Sequence, residues 1–89
     1  MQITWDKFCE ALEEGYPFEL LYKGEKFISI YCIDRGFFHK KTYWVISVHY
    51  HDNTGNEFYK EYNSVQLLLN DVKIDGKFMY EIWEDLEEI

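Results

Sequence analysis

Proline is almost missing from this chain: Pro17 is the only one in 89 residues. Gly/Ser-rich tracts are missing too, so neither an internal linker nor a disordered segment has a basis in composition. Two cysteines, Cys9 and Cys32, are too few for a disulfide scaffold. Each sits in an apolar pattern, where a buried reduced thiol is expected. No run approaches the ~20 apolar residues of a membrane span, and the opening MQITWDKFCEALEEG lacks a basic segment followed by an apolar one. These absences point to a soluble, cytoplasmic protein. Catalytic signatures are missing as well. Gly24, Gly36, Gly55 and Gly76 are isolated turn glycines rather than a phosphate loop, and no HExxH occurs. A cysteine nucleophile would need a base that the sequence does not place. No enzyme is expected.

Bases are also in short supply. Nine face seventeen acids, a formal net charge of −8. The imbalance is segregated. Residues 1–20 carry five acids against Lys7, and residues 61–89 carry eight acids against Lys73 and Lys77. Residues 21–60 carry six bases and four acids. Such a field speaks to partners rather than to fold, and its sign excludes nucleic-acid backbone and anionic membrane as direct ligands.

What the chain has in plenty is aromatic residues: seven Phe, eight Tyr and three Trp. A domain this small buries only about 60–65% of its unfolded surface, so large rings must make a dense core. One domain over residues 1–89 is expected.

Thr4 and Gly15 bracket a helix at about residues 4–14, with Trp5, Phe8, Cys9 and Leu12 at helical spacing. Four strands follow: Phe18–Lys23, Lys26–Asp34, Thr42–His51 and Glu57–Tyr62. Asp52-Asn53-Thr54-Gly55-Asn56 reads as a hairpin loop. Asn63-Ser64 caps a short helix to about Asn70. Asp75 is a candidate cap of a last helix whose apolar face is Met79, Ile82, Trp83, Leu86 and Ile89. The order is α-ββββ-αα, an α+β fold in which helices cover a four-stranded antiparallel meander. Trp5, Phe8, Leu12, Ile82, Trp83 and Leu86 should pack on one sheet face.

On this reading Glu10, Glu13 and Glu14, with Glu81, Glu84, Asp85 and Glu88, line the outer faces of the two terminal helices. Carboxylates at helix C-termini oppose the macrodipole, and acids three or four apart repel. Repeated violation of a local rule in one direction is where functional constraint is expected. The competing explanation is a solvated face kept for solubility. One stripe is too sparse to imitate DNA, so a DNA mimic requires both terminal helices to present acids on one surface. His49 and His51 share a strand face, with Asp52 and Glu57 nearby, and are the candidate zinc ligands. Two ligands fall below the usual three, so no cofactor is expected. Lys23, Lys26, Arg35, Lys40 and Lys41 read as charges that blunt sheet edges. Most aromatics read as core, with Tyr31, Tyr43, Tyr59 and Tyr62 available to an interface.

The segments TWDKFCEALEEGYPFELLYKGEKFISI and YNSVQLLLNDVKIDGKFMYEIWEDLEEI resemble small proteins of bacterial mobile elements and phages. In size, charge and α/β content the chain is similar to the anti-CRISPR proteins that inhibit Cas9, some of which imitate nucleic acid. That likeness carries no motif and assigns no residue. It implies an inhibitor, monomeric or homodimeric, whose partner is a basic surface on a nucleic-acid-binding defence protein, through anti-CRISPR or anti-restriction action. The alternatives are a small acidic adaptor or subunit that docks through its aromatic sheet face and, behind it, a zinc-binding module built on His49 and His51.

Overall fold

The computed structural model describes residues 1–38, 40–50 and 58–89. The expected 52–56 hairpin loop lies outside them, as do His39, His51 and Glu57. Helix α1 spans Trp5–Glu13. Thr4 caps it, its Oγ1 accepting from the Lys7 amide at 3.2 Å. At the other end the Tyr16 amide donates to the Ala11 carbonyl and the Gly15 amide to Leu12. Gly15 takes φ +90°, so this is a Schellman stop that needs glycine.

Strands β1 (Phe18–Tyr22), β2 (Lys26–Arg35), β3 (Lys41–Tyr50) and β4 (Phe58–Tyr62) form the expected antiparallel meander. Helix α2, Val65–Asp71, follows under a Ser64 cap. The C-terminal region departs from expectation. Asp75-Gly76 is not a helix start but the two-residue turn of a hairpin between β5 (Lys73–Ile74) and β6 (Lys77–Phe78). Both residues have positive φ, +53° and +78°, as a type I′ turn requires. Residues Met79–Asp85 then form a 3-10 helix. Buried residues recur here at i, i+3, the 3-10 period: Met79 with Ile82, and Trp83 with the capping residue Leu86. Leu86–Glu88 becomes strand β7, which joins β1 through Leu20↔Glu88 and Tyr22↔Leu86. The sheet therefore has five strands, in the order β4-β3-β2-β1-β7, rather than four. The second C-terminal helix is a 3-10 segment and a strand. Ile89, expected in the core, is 63% exposed.

The physical reason lies in the acid run. Glu84, Asp85, Glu87 and Glu88 would crowd the C-terminal turn of an α-helix, against its dipole and against each other. In the observed structure Glu84 and Asp85 still close the 3-10 helix, but Glu87 and Glu88 leave it for an edge strand, where there is no dipole to oppose and β1 supplies a ladder.

All helical segments lie on one face of the sheet. Phe8, Leu12, Leu68, Met79, Ile82 and Trp83 pack there with Phe18, Leu20, Ile28, Ile30 and Ile46. Full burial of each such side chain stabilises by roughly 1.5–3 kcal/mol. Two indoles close the packing with hydrogen bonds: Trp44 Nε1 donates to the Leu12 carbonyl at 2.7 Å, and Trp83 Nε1 to that of Ile3 at 3.1 Å.

Candidate functional site

The structure brings the two terminal elements together. Trp83 of the 3-10 helix stands 5.1 Å from the Trp5 ring and 4.6 Å from Phe8. Glu10, Glu13, Glu14, Glu81, Glu84, Asp85 and Glu88 are all exposed. They do not share one environment. Glu81 accepts from the Phe78 amide at 2.8 Å, a capping contact at the start of the 3-10 helix, where an acid is favoured. Glu13 lines a cleft of about 380 Å³ between α1 and α2. Glu88, with Glu87, lines another of about 530 Å³ beside Met1 and Gln2.

None of the seven joins an ion pair among the described residues. The three pairs there spend other acids: Lys26 with Asp75, Arg35 with Glu61 and Lys60 with Asp71. From Met79 to the last residue the chain has five acids and no base. These seven terminal acids are therefore unpaired among the described residues, while Glu61, Asp71 and Asp75 are paired.

Asp71 belongs to the compensated group. The Tyr62 hydroxyl donates to its Oδ2 at 2.6 Å, and Lys60 Nζ stands 3.5 Å away. The Tyr62 bond, then the Lys60 charge, hold the Asp71 carboxyl below the usual carboxylate range. Burial first, and then Asp71, push the Tyr62 phenol above its ordinary value.

Among the described residues no helix covers the other sheet face. Cross-strand rows on it run Glu87, Leu21, Phe27, His49; then Glu19, Ser29, Ser47, Tyr59; then Tyr31, Val45, Glu61; then Ile33, Tyr43. Arg35 Nη2 stands 2.8 Å from Glu61 Oε1, a charge contact without hydrogen-bond alignment, and the guanidinium lies 5.9 Å from the Tyr43 ring. His49 stacks on Phe27 at 5.5 Å. His51, its expected partner toward zinc, lies outside the described residues. No group of three or more potential metal ligands occurs among the described residues. Cys9 and Cys32 are free and part-buried. Burial, then neighbouring acids (Asp6 and Glu13 for Cys9, Asp34 for Cys32), push both thiols up, away from the thiolate a nucleophile needs.

One feature escaped sequence reasoning altogether. At the β2–β3 tip Phe37 is 89% exposed and Phe38 is 87% exposed. The two rings pack edge to face at 5.0 Å. The β2–β3 ladder runs out to Arg35↔Lys41, whereas pairing with β1 stops at Ile30 and pairing with β4 stops at Trp44. Three paired rows, about 10 Å of ribbon, thus project past both neighbours. A sequence signal existed: Phe37 and Phe38 stand in a turn between Gly36 and Lys40-Lys41, where alternation has stopped. Among the described residues no helix is long and apolar enough to cross a membrane. Comparison with known protein families, curated proteins and solved structures found no match to this chain.

Proposed function

We propose that this chain is a protein-interaction module whose terminal acids occupy a basic, nucleic-acid-binding surface of a partner. On this reading it is an inhibitor of the anti-CRISPR or anti-restriction kind, acting by charge mimicry. The observation that supports it is the uneven compensation of charge. Every ion pair among the described residues lies away from α1, the 3-10 helix and β7. The acids on those elements are exposed, and Lys7 on α1 is the one base those elements carry. Unpaired like charges destabilise a fold slightly and steer oppositely charged partners strongly. Glu10, Glu13, Glu14, Glu84, Asp85 and Glu88 would carry the contact, with Glu81 shared between partner and cap.

A second reading rests on the helix-free sheet face. There Leu21, Phe27, Ile33 and Tyr43 form a half-buried apolar surface fit for an adaptor. Salt separates the two. Parent protein and a variant with the six acids changed to amides serve as baits in the native cell extract at low and high salt. The acidic reading expects the captured partner to leave at high salt, to be displaced by nucleic acid, and to be missed by the variant. Equal capture by the variant at low salt would sink it and leave the sheet face as the docking surface.

A further inference from the structure

We propose that the β2–β3 tip of one copy docks head to tail into the α1–α2 cleft of another, placing Phe37 and Phe38 beside Cys9 and bringing Lys40 and Lys41 to Glu13. Both halves of this contact are on the same chain. The tip is an apolar plug with no role in its own fold: the two rings touch each other and are almost wholly exposed. Its bases are available. Arg35 is engaged by Glu61, but Lys40 and Lys41 have no acid partner among the described residues.

The socket has the matching chemistry. Trp5, Cys9, Glu13, Val65, Leu69 and Tyr80 are among its walls, and its volume is about 380 Å³. A closed cavity of about 150 Å³ holds a benzene ring, so this open cleft has room for two phenyl groups. Its potential is negative, since the Asp6 and Glu13 charges both act on the Cys9 thiol there. A plug with free lysines and a socket with free carboxylates are complementary in both shape class and sign. The tip does not occupy the cleft of its own chain: neither Phe37 nor Phe38 lines it, and both rings are almost wholly exposed.

The contact is heterologous, so repetition yields a ring if the rotation closes and a chain if it does not. It is also small against the roughly 1,600 Å² of a standard interface, so association belongs at high concentration. The inference does not depend on the acidic docking surface above. Of those acids it uses only Glu13, so either can fail alone.

Sedimentation or light scattering from micromolar to millimolar protein tests it. The average mass should climb from the 10.9 kDa monomer to twice that value and beyond, and fall back with salt. Phe37→Ser/Phe38→Ser should stay monomeric over the same range with an unchanged melting curve. A single Phe38→Cys variant should form, on mild oxidation, an interchain disulfide to Cys9 in peptide maps, lost when Cys9→Ser is added. A parent that stays monomeric at millimolar concentration overturns the proposal, as does association that the double Ser variant retains. Crosslinking to Cys32, or only between two substituted positions, overturns it too. Tip-dependent sedimentation with phosphatidylserine vesicles by a monomeric parent would assign the plug to lipid instead.

Discussion

Two groups of aromatic rings in this molecule have opposite surroundings. Trp5, Phe8 and Trp83 meet one another at 4.6–5.5 Å at the junction of the termini and the sheet. Phe37 and Phe38 meet each other and are almost wholly exposed, at the end of a projecting ribbon. Both groups are large aromatic residues, and the ring separations are similar. What differs is the water they exclude. The first group is explained by folding, since its burial is part of the driving force. The second contributes nothing to that force, and leaving two phenyl rings in water forgoes roughly 1.5–3 kcal/mol for each. An apolar residue that folding does not use is better evidence about partners than a charged one, because charge is also kept for solubility.

The sharpest test of the buried side is Trp83→Ala. Trp83 is 6% exposed, touches two rings and donates to the Ile3 carbonyl. Its loss should cost about 3–5 kcal/mol, a large share of a small domain's stability. A thermal or urea melt measures it. A loss under about 1 kcal/mol would mean the termini are not held through this ring.

A smaller loss is expected at the turn that redirected the C-terminal region. Gly76→Ala puts a Cβ at φ +78°, which costs about 1–2 kcal/mol, although nothing stands within 4 Å of that Cβ. The same melt should therefore shift through backbone strain alone. An unshifted melt would argue that Asp75-Gly76 does not hold the type I′ turn, and the cap reading would return.

These two sites show what was legible in the sequence and what was not. Helix α1, its Thr4 cap, its Gly15 stop and the four meander strands follow from local patterns, because each is bounded by its own turn chemistry. The burial of Phe8, Leu12, Ile82, Trp83 and Leu86 was legible for the same reason. The C-terminal region was not. Met79, Ile82, Trp83 and Leu86 fit periods of both 3.6 and 3, and seven residues are too few to separate them. The deciding partner of Leu86–Glu88 is the free edge of β1, more than sixty residues earlier in the chain, which no local pattern reveals. Asp75 fits a helix cap by residue type, while the Asp75-Gly76 dipeptide equally signals the hairpin that forms. As for the candidate sites, acidity was legible as composition. The sharing-out of acids into capped, paired and unpaired ones needed the fold. The Phe37-Phe38 tip is not legible because an aromatic residue in a sequence carries no mark of whether its ring is buried or exposed.

A pH series sharpens the contrast between compensated and uncompensated acids. The Asp71 carboxyl is lowered in the folded state, first by the Tyr62 hydrogen bond and then by Lys60. Its contribution is therefore present above the unfolded carboxylate pKa of ~3.9 and lost as pH falls through the lower folded value. The Tyr62 phenol is raised. Its contribution is present below ~10 and lost as pH rises through the folded value. Tyr62→Phe should lower the melting temperature near neutrality, and the difference from the parent should shrink at both extremes. A difference that stays constant across pH would show that ring packing, not the bond to Asp71, was lost.

The smallest expected effect is the one that carries the comparison. Phe37→Ser/Phe38→Ser removes two large rings, which in the core would be ruinous. Because the rings are solvated in the fold, the change should fall within about 0.5 kcal/mol, as for ordinary surface positions. Unfolding by urea should keep its slope, since no surface is newly exposed or hidden. A loss of several kcal/mol would place the tip against the body of its own chain and erase the distinction between the two ring groups. A near-zero change together with loss of self-association would give the rings a single use, binding, in a molecule whose core already holds all the aromatic burial that folding requires.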